Sequence, residues 1–199
     1  MTDTARNLRL EAANDRDSCR RQLADNRRAA RELFAECSEI QLRWRPGPEA
    51  WSIAECLLHL IQTGRAYLPS FDRAIEEGRR RGRTGEGPYR HPWLSRWAVS
   101  MLEPPARQRF KAPAIFAPQP FSGSPAAILD EFDALGAAFV ERLDASRGLD
   151  LGWLRVASPA MPLFRFSLGM AFALMAAHER RHLVQARAVT AAPGFPGRP

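Results

Sequence analysis

An all-α four-helix bundle is the architecture this 199-residue sequence predicts, and three observations predict it. Apolar residues recur every three or four positions through most of the chain, and no segment shows sustained strand alternation. Helix start and stop signals punctuate it at widely separated places. Hydrophobic residues make up 45% of the chain, enough for one sizeable core. Four amphipathic helices must bury their apolar stripes against one another, and a bundle is the economical way to do so.

The first helix is expected from about Asp3 to Ile40. Leu8, Ala12, Cys19, Leu23, Ala30, Phe34 and Cys37 form its apolar stripe, and charge fills the other face. Pro46, Gly47 and Pro48 force a turn after it. The second helix is expected from Ser52 to about Gly78. Ser52 followed by Glu55 reads as a capping box, and Gly78 as a C-terminal stop.

Residues 79–123 form a long insertion rich in Arg, Gly and Pro. One short amphipathic helix, His91 to Leu102, interrupts it, with Trp93 and Trp97 on one face as a lid or dimer contact. His91 itself reads as a surface residue. A connection this long inside a compact domain usually covers or does something. The third helix starts at Ser124 with Pro125 in its first position and carries Ile128, Phe132, Leu135, Phe139 and Leu143 as an apolar stripe to about Gly148. A linker over 149–165 leads to a fourth helix from about Ser167 to Ala191, which Pro193 stops. The whole reads as a single helical domain over 1–192, with 193–199 as a disordered tail.

Charge and composition narrow the function classes. The net charge of +7 invites a nucleic-acid reading. However, 29 basic residues include a single lysine, Lys111, and the arginines are scattered, as a GC-rich codon bias would scatter them. The exception is Arg79, Arg80, Arg81 and Arg83. That run reads as a solvated loop, with phosphate binding as its alternative. No signal peptide and no apolar run of membrane length is present, so the expected location is the cytoplasm. Cys19, Cys37 and Cys56 lack metal-type pair spacing and are expected to be reduced.

The chemistry lies in the histidines. His178-Glu179-Arg180-Arg181-His182 places two imidazoles four residues apart, on one helix face one turn apart. Ala171, Met175, His178, His182, Gln185 and Val189 share that stripe, whose upper part is apolar, so the histidines point inward. An inward imidazole must be hydrogen-bonded or metal-bound, since leaving it unsatisfied costs ~1–3 kcal/mol. His59, on a stripe with Ser52, Cys56 and Thr63, is the natural third ligand. Three histidines from two facing helices leave a coordination position open, as catalytic metals require. The ion expected is zinc or nickel, with iron as a third candidate. Gln185 could contact bound water or substrate. Cys56 could be a fourth ligand or thiol but reads better as a core residue, and Glu55 could orient His59 but is explained by its cap. As bland readings, a lone His59 is a satisfied core histidine and a bare H-x-x-x-H is no site.

Two stretches resemble the DinB/YfiT-like superfamily. They are Trp51-Ser52-Ile53-Ala54-Glu55 with Leu57-Leu58-His59-Leu60, and Ala177-His178-Glu179-Arg180-Arg181-His182-Leu183-Val184-Gln185. The resemblance spans most of residues 5–190. It implies an up-down-down-up bundle, often a homodimer, with a metal held by His59, His178 and His182. It further implies a metal-dependent enzyme, a thiol-dependent S-transferase or a hydrolase, acting on a small molecule with a low-molecular-weight thiol as cosubstrate. Neither a nucleic acid nor a membrane is expected as partner. The alternative is a non-catalytic metal-binding or interaction bundle.

Overall fold

The computed structural model describes residues 16–87, 89, 91–104, 113–118, 123–161 and 163–197. Helices dominate: α1 (Arg16–Ala35), α2 (Glu39–Arg43), α3 (Ile53–Arg80), α4 (Trp93–Leu102), α5 (Pro125–Ala145) and α6 (Leu168–Val189). A two-stranded antiparallel hairpin, β1 (Arg155–Ala157) and β2 (Arg165–Ser167), joins α5 to α6. The all-α expectation holds. Among the described residues, no helix is long and apolar enough to cross a membrane.

The four long helices pack as α1 on α5, α5 on α3, α3 on α6 and α6 on α1. Their cross-links give the sense of each pair. Arg20 pairs with Asp144 and Arg31 with Asp133, so α1 and α5 run antiparallel. Asn26 meets Ala176 and Glu36 meets Arg187, so α1 and α6 run parallel. Arg65 pairs with Glu131 and Asp72 with Arg142, so α3 and α5 run parallel. Phe71 packs on Phe172 while His59 lies beside His178, so α3 and α6 run antiparallel. One end of the core is built from Phe71, Phe139 and Phe172, and the other from Ile53, Leu57, Ile128, Phe132 and Leu183.

The start signals perform as their chemistry predicts. Ser52 Oγ accepts from the Glu55 amide at 3.2 Å, and Glu55 Oε2 accepts from the Ser52 amide at 2.9 Å. Ser124 Oγ accepts from the Ala127 amide at the head of α5. Several boundaries differ from expectation. The first helix stops at Ala35, because Ser38 and Gln41 form a second capping box that begins α2; the expected start near Asp3 lies outside the described residues. α3 runs past Gly78 to Arg80, and the left-handed glycine is Gly82, at φ 59°. Gly78 serves packing instead: a Cβ there would stand 2.7 Å from Leu154 Cδ1. The expected linker over 149–165 contains the hairpin, whose three-residue strands are too short to show alternation. Its Val156 and Phe166 pair in register and are both buried.

Two further expectations are corrected. Residues 194–197 do not hang free. Phe195 is buried, edge-on to Trp44, and Gln41 Nε2 donates to the Pro196 carbonyl at 2.8 Å. His91 is not a surface residue. Its Nδ1 pairs with Ser167 Oγ at 2.7 Å, and its ring packs where a Cβ on Gly169 would stand, at the start of α6.

The burial of His91 sets a pH dependence. Desolvation first, then the positive charges of Arg96 and Arg155, push its pKa down to about 4 from its ordinary 6.5, with Asp150 opposing. The unfolded chain therefore binds the extra proton between those values. Stability from this site is complete above about pH 6.5 and falls as pH drops toward 4. Because the ring is partly exposed, the loss expected is roughly 1–2 kcal/mol, less than the full linkage. Urea unfolding of the wild type and His91→Asn across pH 4–7 should show that extra slope in the wild type alone. Parallel curves would refute it.

Candidate metal centre

His59 sits in the second turn of α3, and His178 and His182 lie on consecutive turns of α6. The antiparallel pairing of these helices brings all three together, each offering a ligand nitrogen within 4.8 Å of the others. The site is thus built from the three histidines that the sequence singles out. His59 and His182 are buried and His178 is half-buried.

The orientation of His59 is set from outside the bundle. Its Nδ1 lies 2.7 Å from the carbonyl oxygen of Phe116, in the insertion. A carbonyl only accepts, so Nδ1 carries the proton and Nε2 presents its lone pair. That Nε2 is 3.2 Å from Nε2 of His178. Two nitrogens bound to one tetrahedral ion at ~2.0–2.1 Å would be about 3.3 Å apart, so the pair fits a shared ion. Nδ1 of His182 is buried with no hydrogen-bond partner, an orphan that a bound metal would satisfy.

Electrostatics keep the imidazoles neutral. Burial is the first cause for each. It lowers His59, with the Phe116 carbonyl opposing, and it lowers His178 well below the usual range, assisted by the neighbouring histidines and Arg181. It pushes His182 down to about 3. Neutral nitrogen is the form that binds metal. An all-imidazole set suits zinc, nickel or iron better than magnesium or calcium, which take oxygen.

Trp51 forms the wall. Its ring lies 4.8 Å from that of His59 and stacks on His182 at 5.7 Å. Gln185 is exposed one turn beyond His182 and reaches its ring, where it slightly favours the protonated form. Cys56 is fully buried, its thiol pKa raised by desolvation, and stands outside the histidine group as a core residue. Glu55 is occupied by its cap and by Arg45.

Two participants are absent from the sequence reading. Asn26 of α1 is buried and donates from Nδ2 to the Ala176 carbonyl at 3.0 Å and to Glu179 Oε2 at 2.8 Å. Glu179, one residue after His178, is buried against α1, and desolvation pushes its pKa up to about 7. The Phe116 carbonyl is the other.

The Arg79–Arg83 run is exposed, as expected, but it begins in the last turn of α3 rather than in a loop. Arg79 donates to the Ala145 carbonyl, Arg80 and Arg81 pair with Glu77, and Arg83 stacks 4.2 Å above the Trp153 ring. Near it, a groove of about 550 Å³ is lined by Gly85, Tyr89, Asp150, Trp153 and Arg155. It lies beyond the C-terminal end of α3, whereas His59 is near the N-terminal end, roughly 30 Å of helix away. Among the described residues, the group of metal-type ligands close enough to share one ion is His59, His178 and His182.

The DinB superfamily profile matches residues 22–186, a span that begins within α1 and contains all three histidines. No curated protein and no solved structure matches the chain. With most of its length covered by that match, the chain belongs to the DinB superfamily.

Proposed function

We propose that this chain is a metal-dependent enzyme whose divalent ion is held by His59, His178 and His182, acting as a thiol-dependent S-transferase or a hydrolase. The carrying observation is the convergence of three neutral, largely buried imidazoles within 4.8 Å, one with its tautomer fixed by a carbonyl. Zinc or nickel suits the donor set, with iron third. Such an ion supplies Lewis acidity, making a thiol or water nucleophilic near neutral pH.

The residues divide the remaining work. The three histidines give three protein ligands, one fewer than a closed tetrahedral structural site uses. Trp51 excludes water from one side of His59 and His182. Gln185, at the exposed edge, is the candidate to hydrogen-bond a substrate or cosubstrate thiol. Trp51 lying across two of the rings also supports the second reading, a metal-binding bundle without turnover.

Elemental analysis of untagged protein is the test of the centre. The wild type is expected to carry about one divalent ion per chain, and His59→Ala and His182→Ala to lose it. No metal after reconstitution with zinc and nickel would overturn the enzymatic reading. Turnover of an electrophile with a low-molecular-weight thiol, abolished in both variants, separates enzyme from non-catalytic bundle.

A further inference from the structure

The insertion between α3 and α5 grips the metal-centre motif at three points. Phe116 accepts at its carbonyl from His59 Nδ1–H. Met101, at the end of α4, accepts at its carbonyl from Arg181 Nη1 at 3.2 Å. Glu103 forms an ion pair with Arg180 in which both partners are only 28% exposed. Arg180 and Arg181 are the two residues between Glu179 and His182, so the α6 turn that joins the two ligands is tied to the insertion.

The Phe116 contact is held in place by its own structure. The turn Ala114–Phe116 is a single 3-10 turn closed by the Phe116 amide donating to the Pro113 carbonyl at 2.8 Å. The Phe116 side chain is 6% exposed, whereas neighbouring Ile115 is 58% exposed. The buried ring therefore seats the turn, and the seated turn delivers the carbonyl to His59.

Building on the three-histidine metal reading, we infer that residues 101–104 and 113–116 of the insertion are a positioning collar for that centre. Phe116 is its principal positioning residue, setting the His59 tautomer. Hydrogen-bonded partners of this kind orient a ligating imidazole and raise its basicity, and losing one typically costs 10–100-fold in metal affinity. Without the carbonyl, His59 would divide between its two neutral tautomers, and only one of them presents Nε2 to His178.

The test uses the full chain with zinc as probe, and Phe116→Ala, Phe116→Leu, Glu103→Ala and Ile115→Ala variants. Two readouts are taken: zinc affinity by competition with a chelating dye, and His59 tautomer from ring ¹⁵N shifts in metal-free protein. Phe116→Ala should weaken zinc binding about 10–100-fold and give His59 mixed-tautomer shifts. Phe116→Leu, which keeps an apolar anchor, should restore both, and Ile115→Ala should change neither. Glu103→Ala should weaken zinc binding with the His59 tautomer intact. An affinity within about twofold of wild type and an unchanged tautomer in Phe116→Ala would overturn the collar. The tautomer readout needs no metal, so failure of zinc to bind the wild type would count against the metal reading and leave the positioning of His59 separately decided. If Phe116→Ala unfolds, the milder truncation Phe116→Val together with the Glu103→Ala affinity decides the matter, by the same two readouts.

Discussion

Saturating zinc is expected to raise the thermal unfolding midpoint of the wild-type chain by roughly 5–10 °C. His178→Ala should move by less than about 2 °C under the same conditions. The effect arises at the three-histidine centre. Three desolvated imidazoles converge there, and Nδ1 of His182 has no partner. This arrangement costs stability that an ion would return. An ion that binds only the folded chain stabilises by about 2.7 kcal/mol at a hundredfold excess over its Kd. For a chain of this size each kcal/mol shifts the midpoint by about 2–4 °C. Excess chelator should reverse the shift. A rise of equal size in His178→Ala would place the zinc elsewhere and remove the argument for this centre.

How much of that centre is legible in sequence depends on the kind of group involved. His178 and His182 are legible because helical spacing stacks residues four apart, and the apolar residues above them say which way they face. His59 is legible only with the assumption that α3 and α6 are neighbours, which the bundle then supplies. The Phe116 carbonyl is not legible. Every residue carries a carbonyl, so no residue type announces one, and only the fold of the insertion selects it. The length of that insertion is the one available signal that it covers something.

The same distinction separates the helix ends. Ser52 with Glu55 and Ser124 with Pro125 are local signals, and both perform as read. Ser38 with Gln41 is an equally local capping signal, and it ends the first helix five residues before the periodicity alone suggests. Gly78 misleads because a glycine can mark either a left-handed turn or a close approach. Telling them apart requires knowing that Leu154, seventy-six positions later in sequence, packs against it. His91 misleads for a similar reason: its environment comes from Ser167 and Gly169, brought there by tertiary packing.

Asn26 carries the second large expected effect, and it does have a sequence signal. It stands between Leu23 and Ala30 on the buried stripe of α1, a polar residue where an apolar one would fit the pattern. A polar group in that position has to be satisfied, and Asn26 is satisfied twice, by Ala176 and by Glu179. Asn26→Leu is expected to cost about 2–4 kcal/mol, because Glu179 then keeps its burial and loses a donor. The cost should depend on pH. Burial raises the Glu179 pKa to about 7 from 4.5, with Asn26 and then Arg180 and Arg27 opposing. The folded chain thus holds this proton where the unfolded chain has released it. The corresponding stability is complete below about pH 4.5 and is lost as pH rises through 7. Removing Asn26 raises the folded pKa further, so Asn26→Leu should hurt more at pH 8 than at pH 5.5. Glu179→Gln, which keeps the acceptor without the charge, should flatten that dependence. In the Asn26→Leu/Glu179→Leu double variant the loss should fall short of the summed single losses by about 1–3 kcal/mol. Urea unfolding of the wild type, Asn26→Leu, Glu179→Gln, Glu179→Leu and the double variant at both pH values measures all of this. Additive, pH-independent losses would mean that Asn26 acts through Ala176 alone, and that the Glu179 carboxyl is indifferent to its neighbour.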